Sequence, residues 1–146
     1  MRIFLKILFI TAIGAQNIPH FDGDLAFSHL VKQCDFGARY PGSIAHENLK
    51  DYFVEFLSTR ADEVIVDDHK IKHPYNDHNI SLYNIVAKYN IESKDRILLL
   101  AHWDTREIAD KDEKIDNQDK PIIGANDGAS GIAILMSLSQ ILYDFP

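Results

Sequence analysis

Leu49, Tyr52, Phe53, Phe56 and Leu57 fall at i, i+3, i+4, i+7 and i+8, a single apolar stripe at helical spacing. The pattern predicts a helix that Ser43 caps and that runs to about Thr59. Upstream, Asp24 is placed to cap a shorter helix, Leu25 to about Gln33, with Phe27, Leu30, Val31 and Cys34 on its inner side. Between the two, Phe36-Gly37-Ala38-Arg39-Tyr40-Pro41-Gly42 reads as a loop by its glycine and proline. The period then changes. Val64-Ile65-Val66 and Leu82 to Tyr89 are rich in β-branched and aromatic residues and read as strands. Arg96 to Ala101 reads as a third strand, apolar at every position after the arginine, which suits coverage on both faces. A polar, acidic stretch over 107–121 reads as a loop. From Asp127 to about Tyr143 the chain is apolar nearly all round, which predicts a largely buried helix. Two helices, three strands and a helix imply an α/β fold with helices packed on a sheet.

Composition narrows this without changing it. The chain has 146 residues, 46% hydrophobic and 25% charged, enough for one small globular domain. A net charge of −7 with scattered Lys and Arg excludes a nucleic-acid partner, because phosphate binding needs a basic face. The single cysteine, Cys34, allows no internal disulfide and reads as a small core residue. No internal repeat or low-complexity segment interrupts the chain.

Residues 1–15 have the order of a secretory signal. Met1-Arg2 opens it, an apolar stretch from Ile3 to Ile13 follows with only Lys6 and Thr11 against it, and Gly14-Ala15 supplies small residues for cleavage. The stretch is too short to span a bilayer as a helix. The expectation is a secreted or periplasmic protein, with residues 16–23 as a linker and the folded part over 24–146.

Two short strings carry the candidate chemistry, AHWDTR at 101–106 and GANDGASG at 124–131. Residues i and i+2 of an extended chain point the same way, so His102 and Asp104 can face one site. That site would lie at the carboxyl end of a strand, where pockets of open α/β sheets gather. Trp103 points the other way and is expected to pack. His102 offers imidazole nitrogen to a metal, and Asp104 is placed to fix its tautomer. Asp127 sits among Gly124, Gly128 and Gly131, where little side-chain bulk surrounds its carboxylate. It serves equally as a metal ligand or as the cap of the helix it opens.

Other constellations fail on spacing. Asp110-Lys111-Asp112-Glu113-Lys114 with Asp116 lacks the glycine of a calcium loop and carries Lys114 at an acidic position. His69, His73 and His78 cannot align on a helix across Pro74 and read as exposed loop residues. Gly128-Ala129-Ser130-Gly131 is not a nucleophile elbow, and Gly124 to Gly131 is not a dinucleotide fingerprint. A catalytic zinc site commonly has three protein ligands and one open position. His102 and Asp127 supply two.

Taken together and in order, AHWDTR, the acidic loop and GANDGASG before an apolar helix resemble the zinc aminopeptidase and glutaminyl cyclase family, metallopeptidase family twenty-eight. The bacterial glutaminyl-peptide cyclotransferase-like members are the nearest in pattern. The resemblance runs from about Asp24 to Pro146 and includes FGARYPGS at 36–43 and Asn84-Ile85-Val86-Ala87, with Ala38 where many relatives have proline. It implies a mixed-sheet α/β/α zinc-exopeptidase-like fold. Asp127 then matches the zinc-binding carboxylate, which bridges two ions in the aminopeptidases and holds one in the cyclases. His102 matches the zinc-binding histidine of the two-metal peptidases, a position that in the cyclases borders the site without necessarily ligating, and Asp104 matches its supporting aspartate.

The family's general-base glutamate, a further acidic ligand and a last histidine ligand lie downstream of the helix that ends near Tyr143. Residues 24–146 therefore read as the N-terminal part of such a domain, with the C-terminal part absent. By resemblance the parent protein is a zinc-dependent glutaminyl-peptide cyclotransferase acting on peptide or protein N-termini, with one zinc. The alternatives are an aminopeptidase with two zincs and an inactive fragment or binding module. The 146-residue chain alone is expected to hold zinc poorly and to turn over neither substrate.

Overall fold

The computed structural model describes residues 18–145, so the expected signal segment 1–15 and Gln16-Asn17 lie outside the described residues. Helix α1 spans Gly23–Asp35, α2 Ile44–Ser58 and α3 Ser130–Asp144, and two strands, β1 Glu63–Lys72 and β2 Asn79–Lys88, stand between α2 and α3. β1 and β2 form an antiparallel ladder from Glu63 opposite Lys88 to Lys72 opposite Asn79. The His73 N–H donates to the His78 carbonyl (2.8 Å), closing the turn beyond the ladder.

α2 forms as its pattern predicts. Ser43 Oγ accepts from the His46 N–H (3.1 Å), filling one of the donors a helix start leaves open. The stripe turns inward, and Leu49 and Phe53 pack with Trp103 and Met136 as the buried core. Phe36, Tyr52, Phe56, Tyr83, Ile85 and Ile132 close around them. Tyr83 ties β2 to α2 by donating its hydroxyl to the Glu47 carboxylate (2.9 Å).

α1 departs from expectation. Its cap is Asp22, whose carboxylate accepts from the Leu25 N–H (2.9 Å), and not Asp24, which lies inside the first turn. Its buried face is Ala26, His29 and Gln33, while Phe27 and Val31 are exposed and Cys34 is only half-buried. The reason lies in what the helix meets. α1 packs on α3 and on the turn before it, and Gln33 donates to the Ala129 carbonyl (3.0 Å) there. A small residue and two hydrogen-bonding side chains suit that backbone-rich surface better than a row of large apolar groups.

Three further corrections concern the strands and α3. β1 runs well past Val66 and takes in His69. His73, at the ladder's end, is buried rather than exposed in a loop. Arg96 to Ala101 joins no ladder among the described residues, because a strand needs a partner's hydrogen bonds and the described sheet holds only β1 and β2. α3 begins at Ser130, not Asp127, and leaves Ile134 and Leu142 exposed while Ala133, Met136, Ser137 and Ser139 face inward. The 107–121 segment is a loop with one 3-10 turn, Ile115–Asn117.

Candidate metal-binding site

The two strings meet in space. The AHWDTR segment is held from below by Trp103, which is buried in the core and donates its indole N–H to the Tyr83 carbonyl (3.3 Å). His46 stacks on it face to face, ring centroids 4.2 Å apart. With Trp103 pinned inward, His102 turns outward, as the alternation of an extended chain requires.

The GANDGASG segment arrives as an irregular turn, Ala125–Ala129, ahead of α3. Asp127 is extended (φ −90°, ψ 103°) and Gly128 has φ +101°. α3 is preceded by Ala129 at its cap position, and among the described residues no helix amide donates to the Asp127 carboxylate, so the reading of it as a helix cap is corrected. Its backbone turns the carboxylate away from the helix amides and toward the other segment. Two glycines allow this approach. A Cβ on Gly128 would lie 3.2 Å from the Asp104 carbonyl oxygen and 3.3 Å from His102 Cε1, and one on Gly124 would lie 2.6 Å from the Asp127 carbonyl oxygen.

His102 Nε2 lies 2.8 Å from Asp127 Oδ1. On the other side of the ring, Nδ1 lies 3.2 Å from the Asp104 backbone carbonyl and 3.6 Å from its carboxylate. The carbonyl, rather than the carboxylate, is thus the group at hydrogen-bond distance. Both ring nitrogens face oxygen acceptors, yet a neutral imidazole carries only one N–H. If Nδ1–H donates to the carbonyl, the Nε2 lone pair and the Asp127 carboxylate point at each other. Such a pair is repulsive unless a proton lies between them, and a cation that displaced that proton would meet the same two donors. One imidazole nitrogen and one carboxylate oxygen are donors that suit zinc, so the residues present fit part of a zinc site.

The pair is open to water. The His102 side chain is 56% exposed and that of Asp127 84%, and among the described residues Asp127 Oδ2 has no hydrogen-bond partner. Among the described residues no three His, Cys, Asp or Glu side chains converge as a metal cage.

Of the other histidines, His69 is exposed and paired with Asp67 (2.8 Å). His73 accepts the Tyr75 N–H at Nδ1 (3.1 Å) and so carries its proton on Nε2, facing Glu107 (3.1 Å), with the His78 ring 4.8 Å away. That arrangement clasps the hairpin turn to the loop after Arg106. Sequence reasoning did not single out Gln33 or Arg39, both fully buried beneath the two segments. Their only signal was a polar residue at an inward position of α1 and a lone arginine in a glycine-proline loop.

A profile of peptidase family M28 matches residues 84–145, which hold both segments. Among solved structures, the chain is similar to the glutaminyl cyclase of Bacteroides thetaiotaomicron bound to N-acetylhistamine. The identity is 36% and the TM-score 0.82, over 88% of this chain and 44% of that one. A leucine aminopeptidase precursor from the same organism gives the same identity, TM-score and coverage. A Zn-dependent exopeptidase from Parabacteroides distasonis is 29% identical, with a TM-score of 0.81 over 87% of this chain and 43% of that one. No curated protein matches. The chain spans less than half the length of these solved relatives. Both motif segments lie inside the residues that match the family M28 profile, and over most of its length the chain is similar in fold to solved glutaminyl cyclases and zinc exopeptidases.

Proposed function

We propose that this chain carries the His102–Asp127 end of the zinc site of a glutaminyl-peptide cyclotransferase, which converts an N-terminal glutamine to pyroglutamate with release of ammonia. The observation that carries the proposal is the facing pair, His102 Nε2 and Asp127 Oδ1 at 2.8 Å, an imidazole and a carboxylate brought together in the open from segments 25 residues apart. Similarity to structures named glutaminyl cyclases supports the choice of reaction.

In this reading Asp127 would hold the ion and His102 would border it, becoming a ligand itself in the two-metal alternative. Asp104 orients His102 through its backbone carbonyl and leaves its carboxylate beside the ring. A bound zinc supplies Lewis acidity toward a substrate carbonyl. Trp103, stacked on His46, keeps the segment from rotating and so keeps Nε2 aimed at the shared position. The substrate is a peptide or protein N-terminus.

The second reading is a metallo-aminopeptidase of the same family, and one observation favours it. Asp127 engages His102 with one oxygen only, and a carboxylate with a free second oxygen can bridge two ions.

The assay is made on the protein that carries this chain, with a Gln-initiated peptide. Ammonia release with no residue removed supports the cyclotransferase, and release of a free amino acid supports the aminopeptidase. Neither product, with no zinc retained after dialysis, would end both readings. Asp127→Asn is expected to lower zinc retention and turnover together, by a hundredfold or more in turnover, because it removes an anionic ligand.

A further inference from the structure

Beneath the two segments lies a buried cation whose hydrogen bonds all go to backbone carbonyls. Arg39, in the Phe36–Gly42 loop, is 0% exposed. Its Nε donates to the Trp103 carbonyl (3.1 Å), which sits between His102 and Asp104. Its Nη1 donates to the Ile123 carbonyl (2.6 Å) and its Nη2 to the Gly124 carbonyl (2.8 Å), both just ahead of Asp127. A longer contact runs from Nη1 to the Gly37 carbonyl (3.4 Å). The backbone repeats the connection. The Arg39 N–H donates to Thr105 Oγ1 (2.8 Å), and the Thr105 N–H donates to the Arg39 carbonyl (3.2 Å).

Taking a guanidinium out of water costs several kcal/mol unless its surroundings compensate. Burial lowers the Arg39 pKa, while neighbouring Cys34 and Asp104 act against that shift. An arginine still keeps its charge in a protein. If the site had only to be filled, an apolar side chain would fill it without the desolvation cost. What an apolar chain cannot do is bond three carbonyls on two separate segments at fixed angles. A lysine cannot either, because its ammonium is a compact point charge without the planar fork.

We propose that Arg39 is a positioning residue, whose guanidinium fixes the spacing of the two segments so that His102 Nε2 and Asp127 Oδ1 face each other. The importance of that spacing rests on the zinc-site reading, but the spacing itself is measurable without metal. Thr105 is the secondary tie. Its hydroxyl bonds Arg39's backbone to its own segment while its methyl lies against Gly124 of the other, so Thr105→Val removes the hydrogen bond and keeps that packing.

The test is nuclear magnetic resonance of the 146-residue chain, metal-free and carrying Leu98→Lys and Leu100→Lys throughout to keep these exposed positions from associating, with Arg39→Lys and Thr105→Val beside the otherwise unsubstituted protein. Circular dichroism establishes that each is folded. In Arg39→Lys the amide resonances of Asp104, Asp127 and Gly128 are expected to move, and the His102 ring nitrogens to shift toward free histidine. Thr105→Val is expected to leave the Asp127 and Gly128 resonances in place. Changes confined to residues 37–40 in a folded Arg39→Lys would overturn the proposal. Should Arg39→Lys not fold, the chain with Arg39 intact decides. Its Arg39 Nε–H must exchange slowly and show coupling through the hydrogen bond to the Trp103 carbonyl, and a fast-exchanging Nε–H would overturn the proposal. The zinc and product assay on the protein that carries this chain separates the two ideas, since its failure counts against the proposed function and leaves the spacing result standing.

Discussion

At the residue scale, Gly128 makes the tightest demand on the site. Its φ of +101° is strained for any L side chain, and a methyl there would press on both His102 and the Asp104 carbonyl. Gly128→Ala is therefore expected to lower stability by about 1–3 kcal/mol and to push His102 away from Asp127. Urea unfolding measures the first effect, and the His102 ring resonances the second. Unchanged values for both would mean the turn has an easy alternative conformation. His46 makes a different demand. It lies buried between Trp103 and Tyr83, and its Nδ1 has no hydrogen-bond partner among the described residues. Burial lowers its pKa, with Glu47 and Asp104 opposing and Lys50 assisting. His29 is lowered as well, by burial and by Arg60. The folded state thus prefers both imidazoles neutral, so their stabilising contribution is present above the ordinary histidine value of 6.5 and is lost as pH falls below it. The urea midpoint is expected to drop between pH 7 and pH 5, with a shallower drop in His46→Phe, which keeps the ring stack. A midpoint flat across that range would contradict the burial argument. The contrast between legible and illegible residues has a physical basis. His102, Asp104 and Asp127 were readable because ligating side chains sit at short spacings among glycines. Arg39 and Gln33 were not, because they act on carbonyls far along the chain, and a carbonyl has no sequence identity.

At the element scale, α2 was legible to within a residue at each end, since one stripe of five apolar side chains and one serine say nearly everything about it. α1 was legible as a helix and misread as to its face. Its large residues, Phe27 and Val31, suggested a core side, but the surface it meets is the polar backbone of the Ala125–Ala129 turn. The segment Arg96 to Ala101 shows the opposite limit. Its composition suits a strand, yet a strand exists only through a partner's hydrogen bonds, and composition does not name the partner. Element ends also carry load between elements. Ser43 Oγ accepts the His46 N–H and donates to the Ala38 carbonyl (3.1 Å), joining the start of α2 to the loop that holds Arg39. Ser43→Ala is expected to cost about 1 kcal/mol, with an unchanged denaturant slope, and to disturb the Arg39 amide. Asp22→Ala, at an exposed helix end, is expected to leave Arg39 undisturbed, and the comparison tests whether the cap serves the site or only the helix.

At the scale of the whole molecule, the apolar surface is distributed unevenly. The core around Leu49, Phe53, Trp103 and Met136 is closed. Ile97, Leu98 and Leu100, by contrast, are 90%, 74% and 82% exposed, in a run whose backbone joins no ladder among the described residues. An exposed apolar run with unpaired N–H and C=O groups is a template for association. The isolated 146-residue chain is therefore expected to self-associate through residues 97–100 at micromolar concentration, as sedimentation velocity would show. Replacing Leu98 and Leu100 with lysine should return it to a monomer without lowering its melting temperature, because neither side chain packs in the core described above. The solved relatives are about twice as long as this chain, which covers 44% of the Bacteroides thetaiotaomicron cyclase. In a protein of that length the same run is expected to be covered, so the same two lysines should unfold it. The paired experiment separates two causes of exposure. Lysines harmless in both contexts would mean the run is a surface feature of the fold. Lysines harmless here and ruinous there would mean that the apolar run is an interior strand, and that the open His102–Asp127 pair beside it gains its remaining walls from the chain that covers it.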